Sequence, residues 1–114
     1  MCQVILEKHT GYLTVILQGE LILGCTSEVK EKVKNYAEEN QIYHMLIDLS
    51  QVSFMDSSGL GALIAWFKMA NQHQGKVIFC GFTDYVRKIV GYAKLDKIFA
   101  IAATRAEAEQ LLHS

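Results

Sequence analysis

A chain of 114 residues, 51% of them apolar and 20% charged, has the size and composition of one globular domain spanning residues 1–114. It leaves no room for a second and can bury roughly two thirds of its unfolded surface without a disulfide or structural metal. A formal charge of -1, with Lys and Arg scattered along the chain, gives no basic footprint for nucleic acid or an anionic membrane.

The N-terminal run Met1 to Glu7 reaches charge too early for a signal peptide, which makes the cytoplasm the expected location. Gly59 to Phe67, the longest nearly uncharged stretch, is about half the roughly 20 residues that a membrane-spanning helix needs. Cys2, Cys25 and Cys80 are odd in number and have no C-x-x-C spacing. That pattern speaks against a disulfide framework or zinc site and for small buried side chains.

In chain order, Gln3 to Lys8 and Tyr12 to Gln18 are β-rich runs joined by His9-Thr10-Gly11, and the spacing predicts a hairpin. Thr26 to Glu39 puts Val29, Val33, Tyr36 and Ala37 at helical spacing, with Thr26 or Ser27 as the N-cap. Met45 to Leu49 is a short apolar run without alternation, as expected of a central strand covered on both faces. A helix is predicted from about Ser58 to Gln72, a buried strand from Lys76 to Gly81, and a third helix from about Asp84 to Tyr92. Ile98 to Ile101 reads as the last strand. Thr104 and Glu107 form a capping-box pattern that opens a final helix to about Leu112. The order β-β-α-β-α-β-α-β-α implies an α/β fold with a mainly parallel sheet and an antiparallel hairpin at one edge.

The most informative stretch runs from Val52 to Ala70. Its helix is apolar nearly all round, with Lys68 as the one charge. At about 100° per residue, Leu60, Leu63, Ile64 and Phe67 form a core stripe, while Ala62, Ala65, Trp66 and Met69 fall opposite. That second stripe is open to two readings: it faces a partner, or it packs beneath a neighbouring helix. The same wheel sets Ser57 near the core stripe and Ser58 outward, in line with Ala62, Ala65 and Met69. Asp56 or Ser57 can serve simply as an N-cap. A phosphate on Ser58 would be partly stabilised by the helix N-terminus and would add about -1.5 to -2 charges beside Asp56.

Catalytic motifs are not matched. Gly59-Leu60-Gly61 begins a dinucleotide fingerprint, but Ile64 stands where the third glycine is required. Phe54 to Ser58 lacks the first glycine of a nucleophile elbow. His9, His44, His73 and His113 fall in a turn, a strand start, a helix end and the tail, so none is an evident base for Ser58. Asp48 lies mid-strand with no acidic companion, which suits a structural role. No cofactor, metal or enzymatic activity is expected.

Asp56-Ser57-Ser58-Gly59-Leu60-Gly61, following Leu46-Ile47-Asp48-Leu49, strongly resembles the STAS domain, a family that includes the bacterial anti-sigma factor antagonists. Leu17-Gln18-Gly19-Glu20-Leu21 and Gly91 to Phe99 extend the resemblance over almost the whole chain. It implies a four- to five-stranded sheet with about four helices, and a regulatory serine aligned with Ser58. It also implies partner switching. The unphosphorylated antagonist binds an anti-sigma factor that is a serine kinase, a sigma factor is freed, phosphorylation breaks the complex, and a serine phosphatase restores it.

The resemblance and the wheel together give a docking surface made of the loop around Leu21 to Cys25, with Leu21, Ile22 and Gly24 named in it, and of Asp56, Ser57, Ser58, Gly59, Gly61, Ala62, Ala65, Trp66 and Met69. Gly59 and Gly61 would let the partner approach the helix backbone closely. The chain departs from the family at Ile22, where many members carry an acid, so this loop is more apolar. The Trp66 and Met69 stripe suits a tight partner or a homodimer. The alternative is a scaffold subunit of a larger regulatory or membrane-transport-associated assembly, with Ser58 serving only as a cap.

Overall fold

The computed structural model describes residues 2–113. Strands β1 (Cys2–His9) and β2 (Tyr12–Leu21) lead to helix α1 (Cys25–Asn40). Strand β3 (Met45–Met55), α2 (Ser57–Gln72), β4 (Val77–Cys80) and α3 (Asp84–Tyr92) follow. A 3-10 turn over Leu95–Lys97 precedes β5 (Ala100–Ala102) and α4 (Arg105–Leu112). The five strands form one sheet in the order β1-β2-β3-β4-β5. β1 pairs antiparallel with β2, and the other neighbours are parallel. This is the α/β architecture that the alternation of elements predicts.

The sheet divides the interior. On one face Leu13, Val15, Leu17, Ile47, Leu49 and Phe79 pack with Val33, Leu63, Trp66, Val86 and Val90 of α1, α2 and α3. On the other, Leu46, Ile78, Cys80 and Ala102 meet Ala108 of α4. Met45, Leu46 and Ile47 are all fully buried, which explains the apolar run without alternation.

β3 continues six residues beyond the apolar run, to Met55. That extension pairs only with β2, through Gln51 with Gln18, Val52 with Gly19 and Met55 with Leu21, because β4 pairs only with Met45 to Asp48. Half out of the sheet, it carries polar side chains, and Gln18 Nε2 donates to Gln51 Oε1 at 2.7 Å.

Other boundaries move for local reasons. Gly24 (φ 95°), not Thr26 or Ser27, is the N-cap of α1, with no side-chain cap. Thr26 is buried and its hydroxyl donates back to the Ile22 carbonyl at 2.9 Å. The last strand starts later than Ile98, because Leu95–Lys97 turn and drop Phe99 between Phe67 and Phe79, at ring-centroid distances of 5.2 and 4.3 Å. Thr104 caps α4 as its pattern requires, accepting from the Glu107 amide at 3.2 Å.

The cysteine expectation is corrected. Cys80 is a buried free thiol, but Cys2 and Cys25, 23 residues apart, are joined by a disulfide. The hairpin sets Cys2 opposite Gly19, and the chain leaves β2 at Leu21 to start α1 at Cys25. The two sulfurs thus meet at one end of the sheet, a juxtaposition that comes from topology and has no spacing motif.

Candidate protein-docking site

β3 ends at Met55, and Asp56 takes an extended conformation (φ -98°, ψ -168°) as the N-cap of α2. Both carboxylate oxygens of Asp56 are engaged. Oδ1 accepts from the Ser58 amide at 2.9 Å, the Gly59 amide at 3.4 Å and the Ser58 hydroxyl at 2.5 Å. Oδ2 accepts from the Leu23 amide at 3.0 Å. The Asp56 amide in turn donates to the Leu21 carbonyl at 3.1 Å. One carboxylate therefore fastens the start of α2 to the loop between β2 and α1. These donors, the Ser58 hydroxyl foremost and then the Leu23 amide, hold the Asp56 carboxyl below the usual carboxylate range by stabilising its ionised form.

Ile22, Gly24, Asp56, Ser57 and Ser58 come together at this end of the molecule. Ser57 is exposed and Ser58 half-buried, the reverse of the wheel reading. The Asp56 cap turns the Ser58 hydroxyl back onto the carboxylate, and a helical wheel carries no information about that.

Four proposed contact residues are internal. Leu21 is fully buried, and Ala62 and Trp66 are each 1% exposed. Gly59 is buried, and a Cβ there would lie 2.8 Å from the Met55 Cβ and 3.1 Å from both Leu21 Cβ and the Leu21 carbonyl. That glycine serves packing inside the chain, whereas Gly61 faces open space. The second stripe of α2 resolves in favour of the neighbouring helix: Trp66 Nε1 donates to the Lys30 carbonyl of α1 at 3.3 Å. Leu60, Ile64 and Phe67 are only partly buried against the core. Ala65 and Met69, also half-buried, line a groove of about 470 Å³ between α1 and α2 with Lys30, Lys34 and Lys68.

Leu23 lies inside the Leu21 to Cys25 loop that the sequence assigns to docking without naming it individually, and it is 81% exposed on the loop that Asp56 fastens. Its position between Ile22 and Gly24 was the available signal. Phe54, 40% exposed just before the cap, stacks on Tyr85 at 5.3 Å, and the Tyr85 hydroxyl donates to the Met55 carbonyl at 2.9 Å. The histidines are engaged away from Ser58. His9 stacks on Tyr12, His113 meets the edge of Tyr12, His73 stacks on Tyr43, and His44 Nδ1 accepts from the Lys76 amide.

The family model for the STAS domain matches residues 3–108. The chain belongs to the STAS domain family. It is 32% identical over 99 residues to the anti-sigma F factor antagonist of Paenibacillus polymyxa, covering 87% of this chain and 85% of that protein. With the anti-sigma-B factor antagonist of Listeria monocytogenes it shares 30% identity over 101 residues, covering 89% and 88%. Among solved structures, an anti-sigma factor antagonist from Mycobacterium paratuberculosis superposes with a TM-score of 0.89 at 22% identity, over 100% of this chain and 96% of that one. The STAS fold and the kinship with anti-sigma factor antagonists are thereby established. Among the described residues no helix is long and apolar enough to cross a membrane.

Proposed function

We propose that this chain is a single-domain, cytoplasmic anti-sigma factor antagonist whose partner is a serine-kinase anti-sigma factor. The docking surface is the α2 N-terminus, Asp56 to Ser58 with exposed Gly61, together with the Ile22 to Gly24 loop and its exposed Leu23. In the unphosphorylated state this surface engages the partner and a sigma factor is released. Phosphorylation of Ser58 ends the complex, and a serine phosphatase resets it.

The observation that carries this reading is the shared carboxylate: the Ser58 hydroxyl on Asp56 Oδ1 and the Leu23 amide on Oδ2. As a phosphate ester, Ser58 Oγ has no proton to donate. About -1.5 to -2 charges would then stand against an ionised carboxylate. The phosphoryl oxygens would compete for the α2 amides that Asp56 now holds, since a helix N-terminus favours an anion. The cap and the loop it fastens cannot both keep their present geometry, so one modification alters both halves of the surface.

The test is to incubate the purified chain with the serine-kinase anti-sigma factor of its own organism and ATP, locate the phosphate by peptide mass, and titrate binding calorimetrically. Phosphate on Ser58, binding kept by Ser58→Ala and abolished by Ser58→Asp support the reading. Equal binding by both variants would overturn it in favour of a scaffold role.

A further inference from the structure

The Cys2–Cys25 bridge meets the docking surface at the far end of its loop. Residues 22–24 are fastened on one side by Asp56, through the Leu21 carbonyl and the Leu23 amide. On the other side Cys25, the first residue of α1, is tied to Cys2 at the start of the edge strand. Between these anchors lie Leu23, 81% exposed, and Gly24 in the left-handed region at φ 95°. α1 has no side-chain cap, and local ties come from Thr26, whose amide and hydroxyl both donate to the Ile22 carbonyl at 2.9 Å, from the Ser27 hydroxyl, which donates to the Gly24 carbonyl at 3.4 Å, and from the Ile22 amide, which donates to the Glu20 carbonyl at 3.1 Å.

We propose that Cys2 and Cys25 form a reversible thiol–disulfide site whose state sets how firmly the Ile22 to Gly24 loop is held; its functional meaning rests on the docking role assigned to that loop. Oxidised, the bridge holds the loop between two anchors and presents Leu23 in one arrangement. Reduced, the loop keeps the Asp56 contacts and its short local hydrogen bonds but loses the covalent anchor, and the first residue of the edge strand is released from its covalent tie to α1. Preorganisation favours binding by the oxidised form, since less order is then lost on docking.

Three observations support a site that exchanges. Both cysteines are half-buried, not sealed in the core. An open cleft of about 370 Å³, lined by Cys2, Gln3, Val4, Glu28, Val29 and Lys32, gives a small thiol or disulfide a way in. Cys80 stays apart, buried in the opposite layer, where burial first and then Asp48 push its thiol up to about 12. Disulfides in a reducing cytoplasm are rare, and those that occur are typically transient or redox-sensing.

The oxidant is a low-molecular-weight disulfide. In the reduced chain, Cys2 lines the cleft that admits the small disulfide, and its thiolate attacks one sulfur of that disulfide, whose S–S bond breaks and releases one thiol. Cys25, losing its proton, then attacks Cys2 Sγ, forming the bridge and releasing the second thiol. Two protons and two electrons leave the protein and reside on two small thiols; excess thiol reverses both steps.

The experiment equilibrates the full chain in glutathione buffers of graded reduced-to-oxidised ratio, quenches with acid, alkylates, and counts free thiols by intact mass. Amide exchange is then measured on both states. The expected result is a reversible transition of two thiols with Cys80 free throughout, exchange at the Leu23 amide faster by about fivefold or more in the reduced form, and a Cys25→Ser chain that matches the reduced form in every buffer. A bridge that forms at no ratio, or a Leu23 amide indifferent to the redox state, overturns the proposal. Failure of the docking reading is distinguishable, because it would appear as a partner indifferent to Ser58→Asp while the thiol transition remained intact.

Discussion

The two ends of the surface first drawn along α2 behave in opposite ways. At the N-terminus, Asp56, Ser57 and Ser58 are accessible and held by hydrogen bonds. One to two turns further on, Ala62 and Trp66 are sealed by α1 and the sheet. The first end reads as a contact from the Asp56 to Gly61 motif, the second because the helix is apolar nearly all round, and such a helix is ordinarily a buried one. What separates them is the neighbour: α1 covers the middle of α2, while the end of β3 and the β2–α1 loop frame its start.

The contrast predicts that Trp66 matters for stability and not for docking. Trp66→Ala should cost about 3–5 kcal/mol in denaturant unfolding, and any folded fraction should bind the partner as the parent chain does. Weakened binding with unchanged stability would return Trp66 to the surface. The bridge comes next. Its loss in Cys2→Ser should lower stability by about 3 kcal/mol under oxidising conditions, on the chain-entropy account of a closed loop of this size, and by little under strongly reducing ones.

Two glycines two residues apart, on opposite sides of α2, sharpen the comparison. Gly59→Ala forces a methyl group against Met55 and Leu21 and should cost about 1–3 kcal/mol. Gly61→Ala meets open space inside a helix and should stabilise by about 0.5–1 kcal/mol. If the two shifted the thermal midpoint in the same direction, the packing account of Gly59 would fail. Leu23→Ala, at an exposed position, should leave stability within about 0.5 kcal/mol while weakening partner binding measured by calorimetry.

Acid titration probes the cap itself. The folded-state pKa of Asp56 is depressed, so its stabilising contribution is fully present above the ordinary carboxylate value and is lost only as pH falls through the lower folded value. The Leu23 and Ser58 amide resonances should hold steady down to about pH 4 and move together below it. Asp56→Asn should abolish that joint inflection; an inflection surviving the substitution would assign it to another acid.

The sequence by itself determined the element order, the α/β class and the family, because those rest on local periodicity and on the contiguous Asp56 to Gly61 motif, which folding leaves contiguous. It also brought Asp56 and Ser58 forward, since an N-cap acts over two or three residues. Tertiary structure alone decided which side of α2 is covered, that Gly59 is a packing residue, that Leu23 stands exposed beside the cap, and that Cys2 reaches Cys25. A helical wheel records the direction of each side chain relative to its own axis. It does not record what stands there, and the contacts across 23 residues between the two cysteines, 33 between Leu23 and Asp56 and 36 between Trp66 and Lys30 exist only once the sheet has brought those segments together.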